Sequence, residues 1–269
     1  MRNAFYSLVN FINSADETDV YVQAAKIILK NINEIPNLTI TEVAVMTYSS
    51  TSTISRLCRK LNYESFAEFK KDCTVNINFF NHDTERLNFD FQLPSKESFE
   101  KEGKKVFESH FDNIINNLKE TYENISYEDI EEIVDEMHKC QKVYFLGNYL
   151  TQSIAMQLQI ELSYLHKNTE GRYNIAQQKE MVKRMTKDDV LILTSIAGSY
   201  FQTQKELMRE IAKSPAYKVV ITQDRDFETI DTFDKKIIVG NNHQSLVGKF
   251  SITYVFEILE AIYHLKYSK

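Results

Sequence analysis

The sequence predicts a two-part fold: an all-α N-terminal part, then an α/β part built on a doubly wound parallel sheet. Three observations predict it. Residues 1–73 read as consecutive short amphipathic segments and contain no glycine. Further on, four short apolar runs alternate with helical patterns. Between the two parts, Asn, Asp and Pro94 among scattered aromatics read as a joint over residues 76–98.

In the first part, apolar segments fall at Phe5–Ile12, at Val20–Ile32 and in three more pieces from Thr39 to Cys73. T-I-T-E at 39–42 and S-F-A-E at 65–68 are capping boxes, in which the hydroxyl and the glutamate each satisfy a free amide of a helix start. Domain limits of 1–75 and 99–269 follow from the joint.

In the second part, helical segments at roughly 97–122 and 127–139 precede the runs K-V-Y-F-L (142–146), V-L-I-L-T (190–194), K-V-V-I-T (218–222) and K-I-I-V (236–239). Continuous rather than alternating hydrophobicity marks strands covered on both faces, and the helices between them imply parallel pairing through right-handed crossovers. A long amphipathic helix over 246–267 closes the core or meets a second subunit.

With 269 residues, 43% of them hydrophobic, the chain can bury the core of one large or two modest domains. No run approaches the ~20 apolar residues that span a bilayer, and Phe5–Ile12, broken by Ser7 and Asn10, makes a poor secretion signal. A cytoplasmic protein without a membrane partner is expected. Cys58, Cys73 and Cys140 are widely spaced and no Cys/His cluster has zinc-ligand spacing, so reduced structural thiols, no metal and no cofactor are expected. The net charge of -6 argues against indiscriminate binding along nucleic acid while leaving room for a local basic face.

Such a face is written in S-S-T-S-T-I-S-R-L-C-R-K-L, residues 49–61. At ~100° per residue, Ile54, Leu57, Cys58 and Leu61 form one apolar stripe. Ser52, Arg56 and Arg59 gather opposite, flanked by Thr53, Ser55 and Lys60. Ser50 suits the N-cap, and only Thr47, Tyr48 and Ser49 separate this helix from the one begun at Thr39. A helix, a tight turn and a second helix displaying hydroxyls and arginines is a DNA-reading arrangement: Arg binds guanine edges, hydroxyls and helix amides bind phosphates, and no acid repels the backbone. An ordinary solvated basic helix is the bland reading, and the tight spacing decides against it.

Residues 40–70 resemble the helix-turn-helix domain of RpiR-type transcriptional regulators, matching its pattern at Ser50, Thr53, Arg56, Lys60, Leu61, Phe66 and Phe69. T-I-S-R at 53–56 is also similar to recognition helices of the lactose-repressor type. The resemblance implies base contacts from Thr51, Ser52 and Arg56 and phosphate contacts from Ser50, Thr53 and Ser55; Arg59 and Lys60 add basic character. Tyr48 stands where the family commonly has Gly in the turn, and Asn62 replaces the Gly after the recognition helix.

Ligands of open parallel sheets bind beyond the carboxyl ends of the strands. Gly147 with Asn148, Thr151 and Ser153, and Gly198 with Ser195 and Ser199, occupy such places; plain strand-to-helix turns explain the same residues equally well. Residues 142–240 resemble a sugar isomerase (SIS) domain, the phosphosugar-binding module of RpiR-type regulators. Its G-x-G-x-S motif falls on Gly147 to Thr151 and its S-x-S-G-x-T motif on Ser195 to Tyr200, where Tyr149, Ala197 and Tyr200 depart from it. The resemblance implies a regulator of sugar-metabolism genes whose effector is a phosphorylated sugar held by Gly147, Asn148, Thr151, Ser195, Gly198 and Ser199. Operator DNA and a second copy of the chain are the expected partners, because one recognition helix reads few base pairs. Two rivals remain: an isomerase using Glu161, His166 or His243 as acid and base, with no catalytic residue fixed by the pattern, and a DNA-binding protein that dimerises independently of any ligand.

Overall fold

The computed structural model describes residues 4–74, 96–241 and 245–268. The chain forms two compact units, Met1–Leu87 and Asn88–Lys269. Most of the expected joint, and His243, lie outside the described residues; residues 96–98, expected in the joint, already belong to a helix.

The first unit is all helix: α1 (Ala4–Ser14), α2 (Val20–Lys30), α3 (Ile40–Met46), α4 (Thr51–Lys60) and α5 (66–74). Its core gathers Leu8, Ile28, Val43, Ile54, Leu57 and Phe69 from the five helices, with Ile35 from the connection between α2 and α3. Caps fix the helix ends. At α3 the reciprocal box forms as predicted, Thr39 N–H donating to Glu42 Oε2 at 2.6 Å and Glu42 N–H to Thr39 Oγ1 at 3.2 Å. The Thr39 backbone amide, and after it the Thr39 hydroxyl at 2.7 Å, hold the Glu42 carboxyl below its usual range. At α5 the box is shifted: Glu68 N–H donates to Ser65 Oγ, while the Glu68 carboxylate takes the amide of Glu64, one residue early. A buried bond from Tyr63 Oη to Asp72 Oδ2, 2.6 Å, ties α5 to the turn after α4.

The second unit is a parallel sheet with helices on both faces. Helices α6 (Lys96–Asn124) and α7 (Tyr127–Lys139) precede β1 (Lys142–Gly147), α8 (Tyr149–Tyr164), β2 (Thr169–Gly171), α9 (Ile175–Arg184) and β3 (Asp189–Ser195). There follow α10 (Ser199–Thr203), α11 (Lys205–Lys213), β4 (Tyr217–Thr222), β5 (Lys235–Ile238) and α12 (Ser245–Tyr267). Strand order is β2-β1-β3-β4-β5, every pair parallel. The four runs predicted as strands are strands; β2 is an addition, three residues with no apolar run to announce it.

Alternate residues of each central strand feed opposite cores, which is why the runs are continuously apolar. Val143, Phe145, Val190, Ile192, Val219 and Ile221 pack with α7, α8 and α12. Tyr144, Leu146, Leu191, Leu193 and Val220 pack with α9 and α11. The order reverses between β1 and β3, so the carboxyl ends of those two strands flank the switch point at which this architecture opens a crevice.

Candidate nucleic-acid interface and ligand crevice

The helix α4 sorts its residues as its periodicity predicts. Ile54, Leu57, Cys58 and Leu61 are buried, while Ser50, Thr51, Ser52, Arg56, Arg59 and Lys60 are exposed and Thr53 and Ser55 half-buried. Burial pushes the Cys58 thiol up to about 12, so it is a packing group. Ser50 is the N-cap: it accepts from Thr53 N–H at 3.1 Å, and its hydroxyl meets those of Ser52 (2.7 Å) and Thr53 (2.9 Å). Among the described residues, Arg56 and Arg59 have no hydrogen-bond or ion-pair partner. Lys60 differs: its ammonium lies 3.7 Å from Asp19 Oδ2 and 4.8 Å from the centre of the Tyr21 ring, held within the unit instead of displayed with the arginines.

Three helix ends explain every non-glycine residue with positive φ among those described. Tyr48 (φ 52), Asn62 (φ 66) and His166 (φ 60) each follow a C-cap. Each is flanked by a Schellman pair: Ser49 N–H to Ala44 O with Tyr48 N–H to Val45 O, Tyr63 N–H to Cys58 O with Asn62 N–H to Arg59 O, and Lys167 N–H to Leu162 O with His166 N–H to Ser163 O. The turn between α3 and α4 is therefore closed with Tyr48 in the left-handed conformation usually given to Gly, the residue 94% exposed beside the start of α4.

The crevice motifs stand at the switch point. Gly147 ends β1; a Cβ there would fall 2.2 Å from Thr151 Oγ1 and 2.8 Å from the Thr194 carbonyl. Asn148 caps α8 through Thr151 N–H. Thr151 is fully buried, and its hydroxyl lies 3.2 Å from both the Thr194 and Asn148 carbonyls, stitching α8 to β3. Ser195 is fully buried and accepts from Tyr200 N–H. Gly198 adopts φ +70 to cap α10, where a Cβ would meet Asp224 Oδ2 at 2.0 Å. The structure thus brings Gly147, Asn148, Thr151, Ser195 and Gly198 to one end of the sheet; Ser199 opens α10, with its side chain outside the description.

Three residues shape this place that sequence reasoning did not assign to it, Tyr200 having been noted only as a departure from the motif. Tyr200 Oη donates to Gln178 Oε1 at 2.5 Å, and Gln178 Nε2 donates to the carbonyls of Gly147 (2.8 Å) and Arg172 (2.6 Å). Tyr200 and Gln178 are buried, and burial raises the tyrosine hydroxyl's pKa, so it stays a neutral donor. Asp224 sets a carboxylate against the second loop, where it repels an anion. Tyr200 carried a signal, standing where the family has Thr; Gln178 and Asp224 are remote in sequence and carried none. As for the rival acid and base, His166 is a helix-end residue and Glu161 faces α12, away from these loops.

The model of the helix-turn-helix domain of the rpiR family matches residues 17–77. The chain is 21% identical over 244 residues to an uncharacterized HTH-type transcriptional regulator of Haemophilus influenzae, covering 90% of this chain and 82% of the other. In fold it is similar to the Vibrio vulnificus NanR protein complexed with ManNAc-6P, with TM-score 0.53, 16% identity and coverage of 98% and 92% of the two chains. It is likewise similar to the sugar isomerase domain of an RpiR transcription factor from Sphaerobacter thermophilus, with TM-score 0.51, 20% identity and coverage of 59% and 89%.

Fold and sequence together define a helix-turn-helix transcription regulator. Its first unit carries a helix-turn-helix domain of the rpiR family over residues 17–77, and its second is similar in fold to a solved sugar isomerase domain. Among the described residues no helix is long and apolar enough to cross a membrane.

Proposed function

We propose that this regulator binds operator DNA as a homodimer in the cytoplasm and controls genes of sugar metabolism, with a phosphorylated sugar in the SIS-like unit setting its operator affinity and no catalytic turnover. One observation carries the reading of DNA: on α4, Arg56 and Arg59 project from the exposed face with no side-chain partner among the described residues, behind the hydroxyls of Ser50, Thr51 and Ser52. A recognition helix enters the major groove by its N-terminal residues. Arg56 is assigned to a base edge and Ser50, Thr53 and Ser55 to phosphates; Lys60 contributes through the unit's own packing.

The proposed effector site is the mouth of the crevice, around Gly147, Asn148, Thr151, Ser195, Gly198 and Ser199. That NanR was solved with ManNAc-6P supports this chemistry by analogy. Here the hydroxyls of Thr151 and Ser195 already serve the chain's own backbone, so the anion is assigned to the first turn of α8, where the helix dipole favours it. The effector shifts operator affinity by binding the two DNA-competent and DNA-incompetent arrangements unequally.

The test has two arms. Genome-wide mapping of bound DNA is expected to return a two-fold symmetric site beside carbohydrate genes. A thermal-shift screen of sugar phosphates against the full chain is expected to return a stabilising compound that also changes operator affinity. Absence of any preferred duplex removes the regulatory reading. Operator binding with no stabilising compound favours a second reading, dimerisation without a ligand, for which the occupied hydroxyls and Asp224 speak.

A further inference from the structure

We propose that Glu161 on α8 with Glu260 and His264 on α12 forms a binding site for a divalent transition-metal ion, Zn2+ being the probe of choice. A carboxylate oxygen from each glutamate and a ring nitrogen of the histidine all lie within 4.8 Å of one another. Donors sharing one ion at metal–ligand distances of about 2.0–2.2 Å stand about 3–4 Å apart. Small side-chain rotations bring these three into that range. Glu260 and His264 are four residues apart on one helix face, and Glu161 meets them from the facing helix, so the set rests on two rigid elements. The register of those elements is pinned one turn away, where Gln157 Nε2 donates to Glu257 Oε1 at 2.9 Å.

The charge at this place asks for a cation. Several other carboxylates of the unit pair with lysine: Glu170 with Lys142, Asp129 and Glu132 with Lys235, Asp135 with Lys266. No such ion pair among the described residues includes Glu161 or Glu260. Two carboxylates and one imidazole suit a borderline ion such as Zn2+ better than Ca2+, which takes six or more oxygens. Solvent supplies the remaining positions, since all three residues are only half-buried. The expectation of no metal rested on Cys/His spacing along the chain; this set joins a glutamate to two residues about a hundred positions away, which no local spacing reveals.

The experiment uses the full chain stripped with a chelator and dialysed. Calorimetric titration with Zn2+ is expected to give one ion per chain, with Ca2+ at the same concentration giving no heat. His264→Ala and Glu161→Gln are each expected to weaken Zn2+ binding about tenfold or more, with an unchanged circular-dichroism spectrum. Substitution by Co2+ is expected to give ligand-field absorption without a thiolate charge-transfer band. Absence of Zn2+ uptake, uptake unaltered in both variants, or a thiolate band pointing to Cys140 would each overturn the proposal. Operator binding plays no part in these readouts, so the site stands or falls apart from the proposed effector.

Discussion

The helix α4 and the crevice use the same kinds of residue to opposite ends. On α4, hydroxyls crowd the N-terminus and Arg56 and Arg59 stay exposed and unpartnered among the described residues. At the switch point, Asn148, Thr151 and Ser195 are all engaged with the backbone of their own domain. The difference teaches that a motif gives residue identities, while availability to an outside molecule is set by what else packs there. On the exposed face of α4 the arginines meet no such neighbours; beneath a sheet's end, nearby backbone carbonyls and amides engage each polar side chain, because an unsatisfied buried polar group costs about 1–3 kcal/mol.

The contrast can be broken or sharpened by substitution. The largest effect is expected of Gly147→Ala, whose methyl must displace the Thr151 hydroxyl and the Thr194 carbonyl; a loss of about 2–3 kcal/mol in chemical denaturation is expected. Arg56→Ala should remove about 1–3 kcal/mol of discrimination between operator and random duplex, measured by fluorescence anisotropy, while stability holds within about 0.5 kcal/mol. Unchanged discrimination in the folded variant would show that the face is misassigned. Thr151→Val should cost about 1–2 kcal/mol of stability through the lost stitch to β3 and leave operator affinity alone. If it instead abolishes a sugar-phosphate shift at unchanged stability, that hydroxyl serves the ligand and the contrast fails. The smallest effect is expected of Tyr48→Gly, which relieves the left-handed strain and should stabilise the first unit by about 1 kcal/mol.

What was legible in the sequence follows the same division. The stripe of α4, the capping box at Thr39 and the strands β1, β3, β4 and β5 are local patterns, and each appears where its periodicity put it. The strand β2 escaped because Thr169–Gly171 is too short to show a period and gains its place only by pairing with β1. The closing of the crevice floor escaped for a related reason. Tyr200, Gln178 and Gly147 lie far apart in the chain, and their bonds exist only once the sheet has formed. The engagement of Lys60 with Asp19 and Tyr21 is likewise a contact between helices that a single-helix wheel cannot contain.

The two margins of the sheet bear on how copies of this chain can meet. One margin is β2, only three residues long and carrying Glu170; the other is β5, which opens with Lys235 and Lys236. Brevity and charge are the means by which natural sheets refuse edge-to-edge growth. Any symmetric association through the second unit must then proceed over helical surfaces, leaving the sheet finite and the assembly closed.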